Sequence, residues 1–126
     1  MYYSGAVPSD LSSVCERIVM LMDEVQRAEQ LSEERLLDLR LVLSELMING
    51  CEHGNRNRRE RMIEVELDVQ AGTVHFCVRD EGVGLCGVAG RTDGRGSCSG
   101  RGLAIVSALC DEVRVEDAAI FGTMVL

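Results

Sequence analysis

From Leu11 onward, apolar side chains return every three or four residues, at Val14, Ile18, Leu21, Val25 and Ala28. That spacing draws one stripe along a helix and predicts an amphipathic element with the stripe buried. Pro8 and Ser9-Asp10 stand just ahead of it, a favourable helix start. A second helix is predicted after Ser32, whose hydroxyl can cap it, with Glu33 and Glu34 in the first turn where the dipole favours anions. Its apolar face reads Leu36, Leu39, Leu43, Leu46 and Gly50.

The period then shortens to that of strands. Met62 to Val69 and Thr73 to Arg79 alternate apolar with polar residues, which predicts two strands joined by a turn at Ala71-Gly72. Asp80 to Gly102 holds eight of the thirteen glycines and predicts a long loop. Leu103 to Cys110 predicts an apolar helix, and Val113 to Glu116 with Thr123 to Leu126 a last strand pair around Gly122. These elements make an α+β two-layer sandwich, with helices on one face of a mostly antiparallel mixed sheet. No repeat or linker divides residues 1–126, so one domain is expected.

Composition narrows the function classes. With 46% hydrophobic and 27% charged residues the chain reads as globular. No apolar run approaches the roughly 20 residues that span a bilayer. The start, Met1-Tyr2-Tyr3-Ser4-Gly5, lacks a signal peptide's basic flank and apolar core, so a cytoplasmic protein away from the membrane is expected. A net charge of −8 and 3% aromatic residues argue against nucleic acid as a partner. The basic cluster from Arg56 to Arg61 is either a solvated loop or a patch that steers a partner or a phosphate. Six cysteines without a Cys-x-x-Cys pair suggest free, buried or half-buried thiols and no zinc site, with Cys86 and Cys98 more accessible in the glycine-rich stretch. All 13 basic residues counted as Lys or Arg are arginine. A Walker A loop and the eukaryotic kinase fold both need a lysine on the phosphates, so neither is present.

Three short patterns carry candidate chemistry. Glu45, Asn49 and His53 fall four residues apart and line up along the second helix. Such a stripe is ordinarily a solvent face, but a carboxylate and an amide oxygen one turn apart can also take a proton and hold Mg²⁺. Asp80-Glu81-Gly82-Val83-Gly84 leaves a strand end, where a carboxylate can accept from an exocyclic amine and glycines let a flat ring approach the backbone. Gly100-Arg101-Gly102-Leu103 opens an apolar helix, whose first N–H groups suit a phosphate.

In this order the three patterns resemble the bacterial anti-sigma-factor serine/threonine kinases, of the GHKL or Bergerat ATP-binding fold. Glu45 to Gly54 is similar to that family's N-box, Asp80 to Gly84 to its first glycine box, and Gly100 to Leu103 to its second; Gly122-Thr123 is similar to the pair that closes the adenine pocket. The resemblance implies ATP and Mg²⁺ as cofactors. It implies Glu45 as general base, Asn49 as Mg²⁺ ligand, and Asp80 on the adenine amine with support from Thr123. Gly82 and Gly84 would admit the nucleotide, and Gly100, Arg101 and Gly102 would meet the phosphates beneath a lid of residues 85–99. His53 ends the N-box and joins the nucleotide-binding set, with packing and catalysis both open to it. His75, in an alternating strand, is expected on the sheet surface. The implied partner is an antagonist (anti-anti-sigma) protein with an acceptor serine, beside a sigma factor or other client; a homodimer through the first helix stays open. The alternative is a catalytically silent, ATP-gated module that sequesters its partner.

Overall fold

The computed structural model describes residues 1–82 and 100–126, the first three of the latter as backbone alone. In chain order the elements are β1 (Tyr2–Pro8), α1 (Leu11–Glu29), α2 (Glu33–Asn49), a π turn (Gly50–Gly54), β2 (Met62–Gln70), β3 (Thr73–Arg79), α3 (Gly100–Leu109), β4 (Glu112–Glu116) and β5 (Ala119–Val125). Among the described residues five strands form one sheet in the order β1-β2-β3-β5-β4, with all four pairings antiparallel.

The predicted helix starts hold in detail. The Asp10 carboxylate accepts from Ser13 N–H at 2.8 Å and caps α1, and the Ser32 hydroxyl accepts from Arg35 N–H at 3.2 Å and caps α2. Val14, Ile18, Leu21 and Val25 of α1 are buried as expected, together with Met22. The two ends of the stripe are not: Leu11 is 48% exposed and Ala28 lies on the surface. On α2, Leu39, Leu43 and Leu46 are buried, joined by Val42 and Met47, because this helix packs against α1 on one side and α3 on the other. Val65, Leu67, Val74, Phe76, Val78 and Met124 meet these helices from the inner face of the sheet. Cys51 and Cys77 are buried free thiols, but Cys15 is exposed on α1.

Three differences from the periodicity have simple causes. The strand β1 pairs with β2 from Tyr2↔Asp68 to Pro8↔Met62; its inward positions are Tyr3, Gly5 and Val7, and the glycine between the two apolar residues, with Tyr2 and Ala6 facing out, hides the alternation. α3 begins at Gly100, three residues before the apolar run that marks it. The last hairpin turns at Asp117-Ala118, with Asp117 in the left-handed region at φ 49°, and not at Gly122. Gly122 lies mid-strand opposite Phe76, and a Cβ there would overlap the Phe76 ring. No described helix is long and apolar enough to cross a membrane.

Candidate functional site

β3 ends at Arg79, and the next residue turns inward. Asp80 N–H donates to the carbonyl of Ala118 at 3.0 Å, which ties the strand end to the β4–β5 turn. Gly82 N–H donates to Asp80 Oδ1 at 2.6 Å, with Gly82 at φ 73°, where glycine is unstrained. Burial pushes the Asp80 carboxyl above its ordinary range; the Gly82 N–H opposes this and the Glu81 charge adds to it. A ligand N–H donor would offset that lost hydration.

The other wall comes from the end of α2. Beyond Asn49 the helix widens into the π turn, closed by Asn55 N–H to the Gly50 carbonyl at 2.8 Å. Such i→i+5 turns cluster at functional sites. Here the turn carries Gly54 against the Asp80 side chain, so closely that a Cβ on Gly54 would overlap the carboxylate. Gly54 is therefore what allows Asp80 to occupy its place.

Between these walls lies a small cleft of about 30 Å³, open to solvent. Leu46, Val78, Val115 and Ile120 give it apolar sides, and Asn49 and Asp80 bring polar groups to it. Apolar walls with a few convergent polar groups suit a flat heterocycle with a hydrogen-bonding edge. Asn49 offers one neutral oxygen to a metal. Mg²⁺ suits such a place, since it commonly combines one or two protein oxygens with phosphates and waters. No group of three His, Cys, Asp or Glu side chains among the described residues could hold a metal without the nucleotide.

The remaining expected residues divide. Glu45 stands one turn before Asn49 on α2 and is half-buried. His53 is exposed in the π turn, whose wider winding takes the four-residue spacing out of line, and it does not line the cleft. Gly100-Arg101-Gly102 forms the first turn of α3, so its backbone N–H groups open a ten-residue helix, and Leu103 packs on the core. Gly84, residues 85–99 and Cys86 and Cys98 lie outside the described residues.

Thr123 is not brought to the cleft. It points to the opposite sheet face, with Oγ1 3.3 Å from Nδ1 of His75, because alternation along β5 turns it away from Met124 and the helices. Asp117 and Ala118 stand beside Asp80 instead. His75 is exposed on that outer face, as expected. In the basic cluster, Arg59 Nε binds Asp10 Oδ2 at 2.8 Å, so this arginine braces the α1 cap.

Periodicity singles out neither Gly54 nor Asn55, which sit in a run of polar loop-formers. The signal available was Gly54 closing the N-box, with Asn55 directly after it.

Residues 7–126 match the model of the histidine kinase-like ATPase domain. The chain is also similar to the anti-sigma F factors of Geobacillus stearothermophilus and Geobacillus kaustophilus, each 32% identical over 98 residues, covering 73% of this chain and 67% of theirs. The anti-sigma F factor of Priestia megaterium is 28% identical over 97 residues, covering 71% and 66%.

Proposed function

Since the chain belongs to the histidine kinase-like ATPase domain family, we propose that it is an anti-sigma, partner-switching regulator that binds Mg-ATP in the cleft between α2 and the sheet and phosphorylates a serine on an antagonist protein. The observation that carries this reading is the convergence of Asp80 and Asn49 on one apolar-walled cleft, with Gly54 packed against the Asp80 carboxylate. The similarity to proteins named anti-sigma F factors supports the regulatory part.

In this reading Asp80 accepts a hydrogen bond from the adenine amine, and the bare backbone at Gly82 leaves room for the ring. Asn49 holds Mg²⁺, which supplies charge neutralisation on the phosphates. The N–H groups of Gly100, Arg101 and Gly102 receive phosphate oxygens at the positive end of α3. Glu45 takes the proton as the serine oxygen bonds to the γ-phosphorus and the bond to the β–γ bridging oxygen breaks, releasing ADP. Thr123 has no part in it.

Titration with Mg-ATP should give low-micromolar to sub-millimolar affinity, about 6 to 8 kcal/mol, and weaker binding of GTP. Incubation with γ-labelled ATP and the antagonist should label a serine. ATP binding without any transfer would leave the silent module; equal binding of GTP would remove Asp80 as the adenine reader.

A further inference from the structure

Among the described residues the fully buried polar side chains are Ser9 and Asn55, and they are bonded to each other. A buried amide is costly to hold unless its polar atoms are paired. Asn55 Nδ2 donates to Ser9 Oγ at 2.9 Å and to the Met62 carbonyl at 3.0 Å. Its Oδ1 accepts from the N–H of Glu81 at 2.8 Å. The Ser9 hydroxyl passes the chain on to the Arg61 carbonyl at 2.6 Å, and the Glu81 carboxylate accepts from Met62 N–H at 2.6 Å. One side chain thus joins the end of the α2 segment, the start of β2 and the backbone that carries Asp80.

The geometry points to Asn55 as a positioning residue for ligand selection: by holding Glu81 N–H it fixes where the Asp80 carboxylate stands against Gly54, and so sets the discrimination for a purine with a 6-amino group. This rests on the ATP reading above and adds to it the element that aims the base reader. Asn55 does not line the cleft, so it acts through Asp80. Gly54 is its chain neighbour and packs on the Asp80 carboxylate, while Glu81 is Asp80's neighbour and takes the hydrogen bond.

The test compares the affinity of the full chain for Mg-ATP with that for Mg-purine riboside triphosphate, which lacks only the 6-amino group. Wild type should prefer ATP by roughly tenfold or more, the scale of losing a hydrogen bond to a charged group. In Asn55→Ala the preference should fall towards unity. Ser9→Ala, which leaves the Glu81 contact in place, should lose stability but keep the preference. General destabilisation lowers the folded fraction and not the ratio of two affinities, so the ratio separates positioning from mere support. An unchanged ratio in folded Asn55→Ala overturns the proposal and leaves the ATP reading standing. A wild type that does not distinguish the two nucleotides overturns both. Should Asn55→Ala not fold, Asn55→Asp keeps the oxygen facing Glu81 N–H and loses the amide donor: retained preference supports the proposal, and lost preference in a folded protein overturns it.

Discussion

At the Asp80 end of the cleft the polar groups answer one another within the protein. Asp80 is held by Ala118 and Gly82, Glu81 by Asn55 and Met62, and Asn55 by Ser9. On α2, Asn49 lines the cleft and Glu45 stands a turn before it, outside the lining, and no described side chain hydrogen-bonds Glu45. The protein itself braces the Asp80 side, whereas in the proposed function Glu45 and Asn49 meet a ligand or partner. The contrast matches what each end is proposed to do. Reading a base needs donors and acceptors already in place, whereas proton transfer needs a group free to meet an incoming hydroxyl.

Glu45→Ala is the strongest way to break that contrast. It should lower phosphoryl transfer to the antagonist by about 10²-fold or more, while Mg-ATP affinity from calorimetry stays close to wild type. A parallel loss of affinity would mean that Glu45 belongs to the binding end after all.

Gly54→Ala attacks the other end. The new methyl would overlap the Asp80 carboxylate, so either Asp80 or the π turn has to move. Overpacking of this kind costs about 1–3 kcal/mol, to be read from denaturant unfolding. Displacement of the base reader should also weaken ATP roughly tenfold. Unchanged ATP affinity would show that the contact between Gly54 and Asp80 is incidental.

The same two ends differ in how far they can be read from the residue string. Asn49 and Asp80, which the fold brings to one cleft, are announced by spacing and residue type, and the helix caps Asp10 and Ser32 are legible because capping is local. Gly54 and Asn55 are not, since their meaning lies in contacts with residues 80 and 81, the hydrogen bond spanning 26 positions. Thr123 is expected at the adenine pocket through the resemblance of Gly122-Thr123 alone; the left-handed Asp117 sets the turn earlier, and alternation along β5 then places Thr123 on the far face. His53 fails because four-residue spacing lines up only while the helix stays α, and it turns π at Gly50.

Asp80→Asn should separate the stability of the built end from its function. Burial raises the folded-state pKa of Asp80 above the ordinary value of 3.8. Stability linked to a raised carboxyl pKa is present below the unfolded value and is lost as pH rises through the folded one. The ionised carboxylate therefore weighs against folding at neutral pH, and the neutral amide relieves it. Nucleotide-free Asp80→Asn should melt higher than wild type near pH 7, with the gain vanishing as pH falls below about 4. Its preference for ATP over GTP should fall at the same time. A lower melting temperature at pH 7 would show that the Gly82 hydrogen bond, and not burial, governs this carboxylate.

The smallest effect concerns the arginine cluster beside the built end. The Asp10 carboxyl is lowered from 3.8 to about 2, chiefly by the Arg59 hydrogen bond and then by its two bonds from Ser13. A depressed carboxyl pKa contributes stability above the unfolded value and loses it as pH falls through the folded one. Arg59→Ala should therefore lower the melting temperature slightly at neutral pH, with the gap to wild type closing between about pH 4 and pH 2. The pair is exposed and should weaken with salt. This bears on partner docking, because reversing Arg59 to glutamate would disturb the α1 cap as well as the surface. Arg58 is exposed and has no salt bridge among the described residues, so Arg58→Glu is the cleaner probe. If the cluster steers an acidic antagonist, Arg58→Glu should slow its phosphorylation and flatten the salt dependence with ATP affinity unchanged. Identical rates and slopes would reduce the cluster to a brace for α1, carried by Arg59 alone.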